Sequence, residues 1–124
     1  MIRLVLVDDR AVVRRSLRRR LLLEPDLQVV GEASTGGEAL TLVEHLAPDV
    51  VVMDVAMPGM DGIEATAALR RVVPQSVVVL LSIADDAQTR GRAQEAGAAA
   101  FVHKSGAIEG LLATIRQAAR HEQT

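Results

Sequence analysis

Short runs of Val, Leu and Ile alternate along the chain with longer amphipathic stretches, the sequence form of buried parallel strands separated by helices. Five such pairs can be counted, with strands expected at 4–7, 27–33, 50–53, 77–81 and 99–102. The first helix is expected over 9–23 with Val12, Val13, Leu17, Leu21 and Leu22 inward, and Pro25 stops it. Thr35-Gly36-Gly37-Glu38 has the spacing of a capping box for a second helix that runs to Leu46. A Pro-Gly loop over 57–60 precedes Asp61-Gly62-Ile63-Glu64, a second cap, for a helix reaching about Val73. The helix after Asp85 is poorly apolar and carries Gly91, so it is expected to be the least anchored. A last helix buries Ile108, Leu111, Leu112 and Ile115.

Right-handed crossovers restrict how five parallel strands can wind, and the common short solution is a doubly wound α/β sheet in the order 2-1-3-4-5. In that order the carboxyl ends of strands 1, 3, 4 and 5 are neighbours about 4.8 Å apart. Those ends carry Asp8-Asp9, Asp54, Ser82 and Lys104, whereas edge strand 2 ends in small residues. Polar side chains from four strands therefore converge on the place where such folds bind ligands.

Composition narrows the chemistry. With 124 residues, 49% of them apolar, the chain can bury one core of ordinary size without metal or disulfide staples. No cysteine is present, which removes thiol catalysis and cysteine-ligated metal, and three scattered histidines (His45, His103, His121) do not build a metal site. Phe101 is the one aromatic residue, too little for a base-stacking platform. A net charge of −2 gives no field that implies DNA binding, although residues 1–24 hold seven arginines against three acids. The arginine run Arg14, Arg15, Arg18, Arg19 and Arg20 reads first as a solvated helix face and second as a docking patch for an acidic surface. No apolar stretch approaches the roughly 18 residues of a membrane span, and the N-terminus lacks a signal-peptide layout. The expectation is a soluble cytoplasmic domain with no membrane contact.

Three carboxylates brought together repel one another, and a single lysine cannot neutralise them, so either their pKa values rise or a cation is shared, and a divalent ion is the favoured answer. Mg²⁺ suits a site with few protein oxygens because it keeps several waters. An aspartate facing Mg²⁺ at the switch point can attack phosphorus and form an acyl phosphate. Asp54 is the expected nucleophile, with Lys104 and the Ser82 hydroxyl donating to phosphoryl oxygens. Lys104 is the chain's only lysine among thirteen arginines, a compact point charge where a phosphate is expected. Taken singly the signals are weak: an acidic pair often only opens a helix, a strand-end serine is often only a hydroxyl, and a lone phenylalanine is usually core. Their joint spacing reverses those readings.

The segments Val7-Asp8-Asp9, 52–62, Leu81-Ser82 and 101–104 resemble the receiver domain of bacterial two-component response regulators, across essentially the whole chain. With Val30-Gly31-Glu32-Ala33 and Ala96-Gly97-Ala98 they most resemble the branch with a LuxR/NarL-type helix-turn-helix output domain. The resemblance implies a flavodoxin-like (βα)5 receiver over 1–120 and the start of a linker or tail over 121–124. It implies that Asp54 accepts a phosphoryl group from a sensor histidine kinase. Asp9, Asp54 and the main-chain carbonyl of Ala56 match the Mg²⁺ ligands, with Asp8 acting through water. Ser82 and Phe101 match a switch pair that remodels the surface of helix 4, strand 5 and helix 5, and Pro58, Gly59 and Gly62 shape the loop beside the site. A homodimer on phosphorylation is expected, with DNA reached only through a separate C-terminal domain. A free-standing receiver acting by protein contact is the alternative.

Some positions depart from the common pattern. Ile83 is bulky where many members carry a small residue, which narrows access for a phosphodonor. Ala56 and Ala84 supply no side chain to orient or block water, and Ser105 stands where proline often follows the lysine. Two rival functions are disfavoured by residues. An aspartate-nucleophile phosphatase needs a second acid two positions after Asp54, where Ala56 stands. A flavin binder needs a glycine- or hydroxyl-rich loop after strand 1, where Asp8-Asp9-Arg10 stands.

Overall fold

The computed structural model describes residues 1–123, and among them five strands and five helices alternate. They are β1 (Ile2–Val7), α1 (Ala11–Leu21), β2 (Leu27–Ala33), α2 (Gly36–Leu46), β3 (Val50–Asp54), α3 (Gly62–Val72), β4 (Val77–Ser82), α4 (Ala87–Ala96), β5 (Ala100–His103) and α5 (Ile108–Gln123). All strand pairs are parallel and the order is β2-β1-β3-β4-β5, as the crossover rule requires.

The strands look continuously apolar in sequence because both faces are covered, yet each sorts its side chains by alternation. Val5, Val7, Val51, Met53, Val78 and Leu80 pack under α2, α3 and α4. Leu4, Leu6, Val50, Val52, Val77 and Val79 pack under α1 and α5. Two dry layers thus clamp the sheet and fix the register of its carboxyl ends.

Helix caps follow the expected residues. Thr35 accepts the Glu38 N–H at 3.0 Å, but the Glu38 carboxylate turns to the Ser34 hydroxyl at 2.5 Å, so only half of the expected box forms. At α3 the box is complete: Asp61 Oδ1 accepts from Glu64 N at 2.8 Å and Glu64 Oε1 from Asp61 N at 3.2 Å. Among the described residues of α4, only Ala93 is buried, in line with its weak apolar face.

Helix α1 corrects one expectation. Val12 and Leu22 are exposed (73% and 71%), not inward. The helix lies over β1 and β2, and on it only Leu21 is buried, with the half-buried Leu17 packed beside it one turn earlier; Val13 is half-buried, Val12 falls off that row and Leu22 caps the end. Helix α5 runs on through Gln123, across most of the expected 121–124 tail, and Thr124 lies outside the described residues. Among the described residues no helix is long and apolar enough to cross a membrane.

Candidate functional site

Asp8 follows the last residue of β1, and Asp54 is the last residue of β3, its direct neighbour in the sheet. Strand geometry alone therefore brings these carboxylates side by side at the switch point. Asp8 and Asp54 are buried, at 6% and 4% exposure, while Asp9 is exposed. One oxygen from each of Asp8, Asp9 and Asp54 lies within 4.8 Å of the others. Lys104, one residue beyond β5, reaches back across the strand ends: its Nζ is 2.9 Å from Asp54 Oδ2 and 3.5 Å from Asp8 Oδ2.

Backbone donors hold the acids in place. The Arg10 N–H donates to Asp8 Oδ1 at 2.9 Å, and the Ala56 N–H donates to Asp54 Oδ1 at 3.3 Å. The loop beyond Asp54 is held tight against it. Gly62 N–H donates to the Val55 carbonyl at 2.9 Å, and a Cβ at Gly62 would fall 2.2 Å from the Asp54 carbonyl oxygen. No side chain fits there, so glycine is what allows α3 to start against the end of β3. Gly59, at φ 74°, is in the left-handed region that makes the turn after Pro58.

Burial pushes the Asp54 carboxyl above its usual range; the hydrogen bond and charge of Lys104 pull the other way, and the charge of Asp8 adds to the rise. One ammonium among three carboxylates leaves the nest short of positive charge. The donors are all hard oxygens, clustered at the spacing of ligands around one ion, and this donor set fits Mg²⁺.

The other expected residues form a second ring. Ser82 is buried at the end of β4, and its Oγ accepts the Ala84 N–H at 3.0 Å, so its own O–H is free to donate elsewhere. Its neighbour Leu81 pairs with Asp54 in the ladder, and the Lys104 N–H donates to the Ser82 carbonyl at 2.9 Å. Phe101 is half-buried toward α4, with the Arg90 guanidinium 4.8 Å above its ring; Arg90 also pairs with Asp85. Phe101 pairs with Leu80 rather than with the acids, so it stands apart from the carboxylate cluster. Pro58 and Gly59 are exposed in the loop.

Two residues that sequence reasoning set aside are built into the site's frame. Arg14, counted within a solvated run, donates to the Asp8 carbonyl at 2.5 Å and to Glu32 at 3.3 Å, tying α1 to the ends of β1 and β2. His103, with no part in the site expected from sequence, bonds to the main chain on the far side of Ser82. Their positions in the sequence carried a weak signal: Arg14 falls one turn after Asp9-Arg10, and His103 adjoins the only lysine.

Together these features define a doubly wound domain with an acidic, cation-competent nest and a reaching lysine at its switch point. The chain belongs to the response regulator receiver domain family, whose pattern it matches over residues 4–116. It is 41% identical over 117 residues to response regulator GacA of Pseudomonas aeruginosa, covering 94% of this chain and 55% of that protein. To the transcriptional regulatory protein LiaR of Bacillus subtilis it is 41% identical over 123 residues, covering 98% and 58%. The receiver domain of the response regulator NarL from Mycobacterium tuberculosis superposes with a TM-score of 0.90 at 35% identity, covering 96% of each chain. The chain is thus a two-component receiver domain near the LuxR/NarL-type regulators. It spans about half the length of the curated relatives it matches. Receiver domains bind Mg²⁺ at an acidic pocket, and the corresponding cluster here is Asp8, Asp9 and Asp54.

Proposed function

We propose that this chain is a phosphoacceptor: Asp54 takes a phosphoryl group from a phosphohistidine on a sensor histidine kinase in the cytoplasm, and the altered surface controls output. The observation that carries this reading is the placement of Lys104 Nζ 2.9 Å from Asp54 Oδ2 inside a cluster whose acidic oxygens lie within 4.8 Å. An Asp54 oxygen attacks phosphorus, the bond from phosphorus to the imidazole nitrogen breaks, and an aspartyl phosphate and a free histidine result. Asp9, Asp54 and the carbonyl of Ala56 would hold Mg²⁺, with Asp8 through water. When bound, Mg²⁺ offsets the charge that the phosphoryl group adds to an already acidic nest.

The protein's own groups do the rest. Lys104 now spends its charge on Asp54 and Asp8, and it can turn an N–H to a phosphoryl oxygen as soon as one arrives. Ser82 has its hydroxyl proton free and donates to a second oxygen. As Ser82 moves, the space it leaves admits Phe101, which must then leave the Arg90 guanidinium it now faces. The face of α4, β5 and α5 changes with it, a two-state element biased by one local charge. Output follows as homodimerisation and, through a separate C-terminal domain, transcription.

The test is incubation with Mg²⁺ and acetyl phosphate, reading intact mass for wild type and Asp54→Asn. One added phosphoryl group on the wild type alone is expected. Equal labelling of both proteins overturns the assignment.

A further inference from the structure

His103 is the last residue of β5 and the direct ladder partner of Ser82. Its ring is engaged at both nitrogens. The Ser105 N–H donates to Nδ1 at 3.1 Å, and the Ser105 Oγ lies 2.6 Å from the same atom. An amide N–H can only donate, so Nδ1 offers its lone pair and the proton of the neutral imidazole is on Nε2. Nε2 lies 3.0 Å from the Ile83 carbonyl oxygen, which can only accept, so the tautomer set on one side makes the bond on the other. The imidazole therefore joins the turn after Ser82 to the turn after Lys104. The Ile83 side chain is 73% exposed and brings no packing that would hold its turn.

We propose that His103 is a positioning residue for phosphoryl transfer: it braces the residue following Ser82 against the residue following Lys104, so that hydroxyl and ammonium meet the incoming group at a fixed separation. This rests on Asp54 being the acceptor. The ring bonds to Ser105 and to the Ile83 carbonyl and lies outside the carboxylate cluster. Its effect comes through geometry, where a displacement near 1 Å changes rates by up to about a hundredfold. Because Ser82 and Lys104 act on the group in flight, loss of the brace lowers the limiting rate of transfer more than it weakens donor binding.

Two variants separate the two halves of the brace. Gln places an amide N–H at the depth of Nε2 and can reach the Ile83 carbonyl. Asn places an amide oxygen at the depth of Nδ1 and can keep only the Ser105 bond. The rate of aspartyl phosphate formation is measured against acetyl phosphate concentration in Mg²⁺ for wild type, His103→Ala, His103→Gln and His103→Asn, with Asp54→Asn as blank. His103→Ala is expected to lower the limiting rate about tenfold with little change in the half-saturating donor concentration. His103→Gln recovers most of that loss and His103→Asn does not. If His103→Ala does not fold, the Gln and Asn pair decides alone. An unchanged limiting rate in His103→Ala, equal rates in the Gln and Asn variants, or recovery by Asn alone overturns the proposal. Labelling absent from wild type, or equal in Asp54→Asn, overturns the phosphoacceptor reading itself and this inference with it.

Discussion

Asp54 is the residue at which the fold and the site want different things. Its carboxyl is buried and held above its ordinary value of 3.8, chiefly by desolvation, even with Lys104 beside it. An acid whose folded pKa is raised binds its proton more tightly in the folded state. Stability therefore falls as pH rises from the unfolded value to the raised folded one, and the cost is fully present above both. Asp54→Asn removes that charge at nearly constant volume. We expect a Tm a few degrees higher than wild type at neutral pH, the scale on which single substitutions move a domain of this size. The gain should vanish as the buffer is taken below pH 3.8, where the wild-type carboxyl is protonated in both states. Thermal melts of the two proteins across that range check the sign; a variant less stable than wild type at pH 7 shows that the Lys104 pairing outweighs desolvation. The residues that hold this charge were legible in sequence because topology places strand ends, and Asp8, Asp54 and Lys104 need nothing more than that to meet. Arg14 and His103 were marked only by their nearness to Asp9-Arg10 and to Lys104. Their partners are main-chain carbonyls of Asp8 and Ile83, and a carbonyl that accepts a distant side chain leaves no mark in the pattern of residue types.

Among the elements, the strands and four of the helices follow from apolar period and caps, and α1 shows the limit of that reasoning. Periodicity states that a helix has an inner stripe, and the stripe's width depends on what lies beneath it. Over two strands near the sheet edge, Leu17 and Leu21 suffice, and Val12 and Leu22 are left outside. The same logic applied to α4 succeeds because there is so little stripe to misjudge. Asp86 caps it through Thr89 N at 2.8 Å, Gly97 ends it at φ 95°, and Ala93 is its buried anchor. Inside it, Gly91 has open space where a Cβ would stand. Gly91→Ala removes backbone freedom from the unfolded chain at no steric cost and should add about 0.5–1 kcal/mol. Urea titration checks this as a raised midpoint at constant slope. A lowered midpoint means that α4 does not hold its helical form at that residue. In the proposed switch through α4, a stiffer helix also favours whichever state keeps it intact.

At the scale of the molecule, densely and lightly packed elements divide along the sheet. β1, β3 and β4 form a central block whose apolar residues are almost wholly buried from both sides. β5 is an edge strand of four half-buried residues with one neighbour, and α4 lies beside it with a single buried side chain among its described residues. β2 is also an edge strand, but Arg14 and Arg18 bind Glu32 from α1, at 3.3 and 3.2 Å, so that edge is tied down. A local change at Asp54 reaches both edges through comparable distances, and what differs is how cheaply each edge can move. Opening energies run from near zero at poorly packed elements to the global value in the core, and elements that rearrange are drawn from the low end. Amide exchange should therefore be fastest in α4 and β5 among the regular elements, and slowest in β1, β3 and β4. After labelling with acetyl phosphate and Mg²⁺, the change in exchange should fall on residues 82–107 and leave β2 and α2 as they were. Equal changes at the β2 edge mean that the charge acts through the sheet as a whole, and then the Phe101 and Arg90 contact is not the route by which the signal leaves the site.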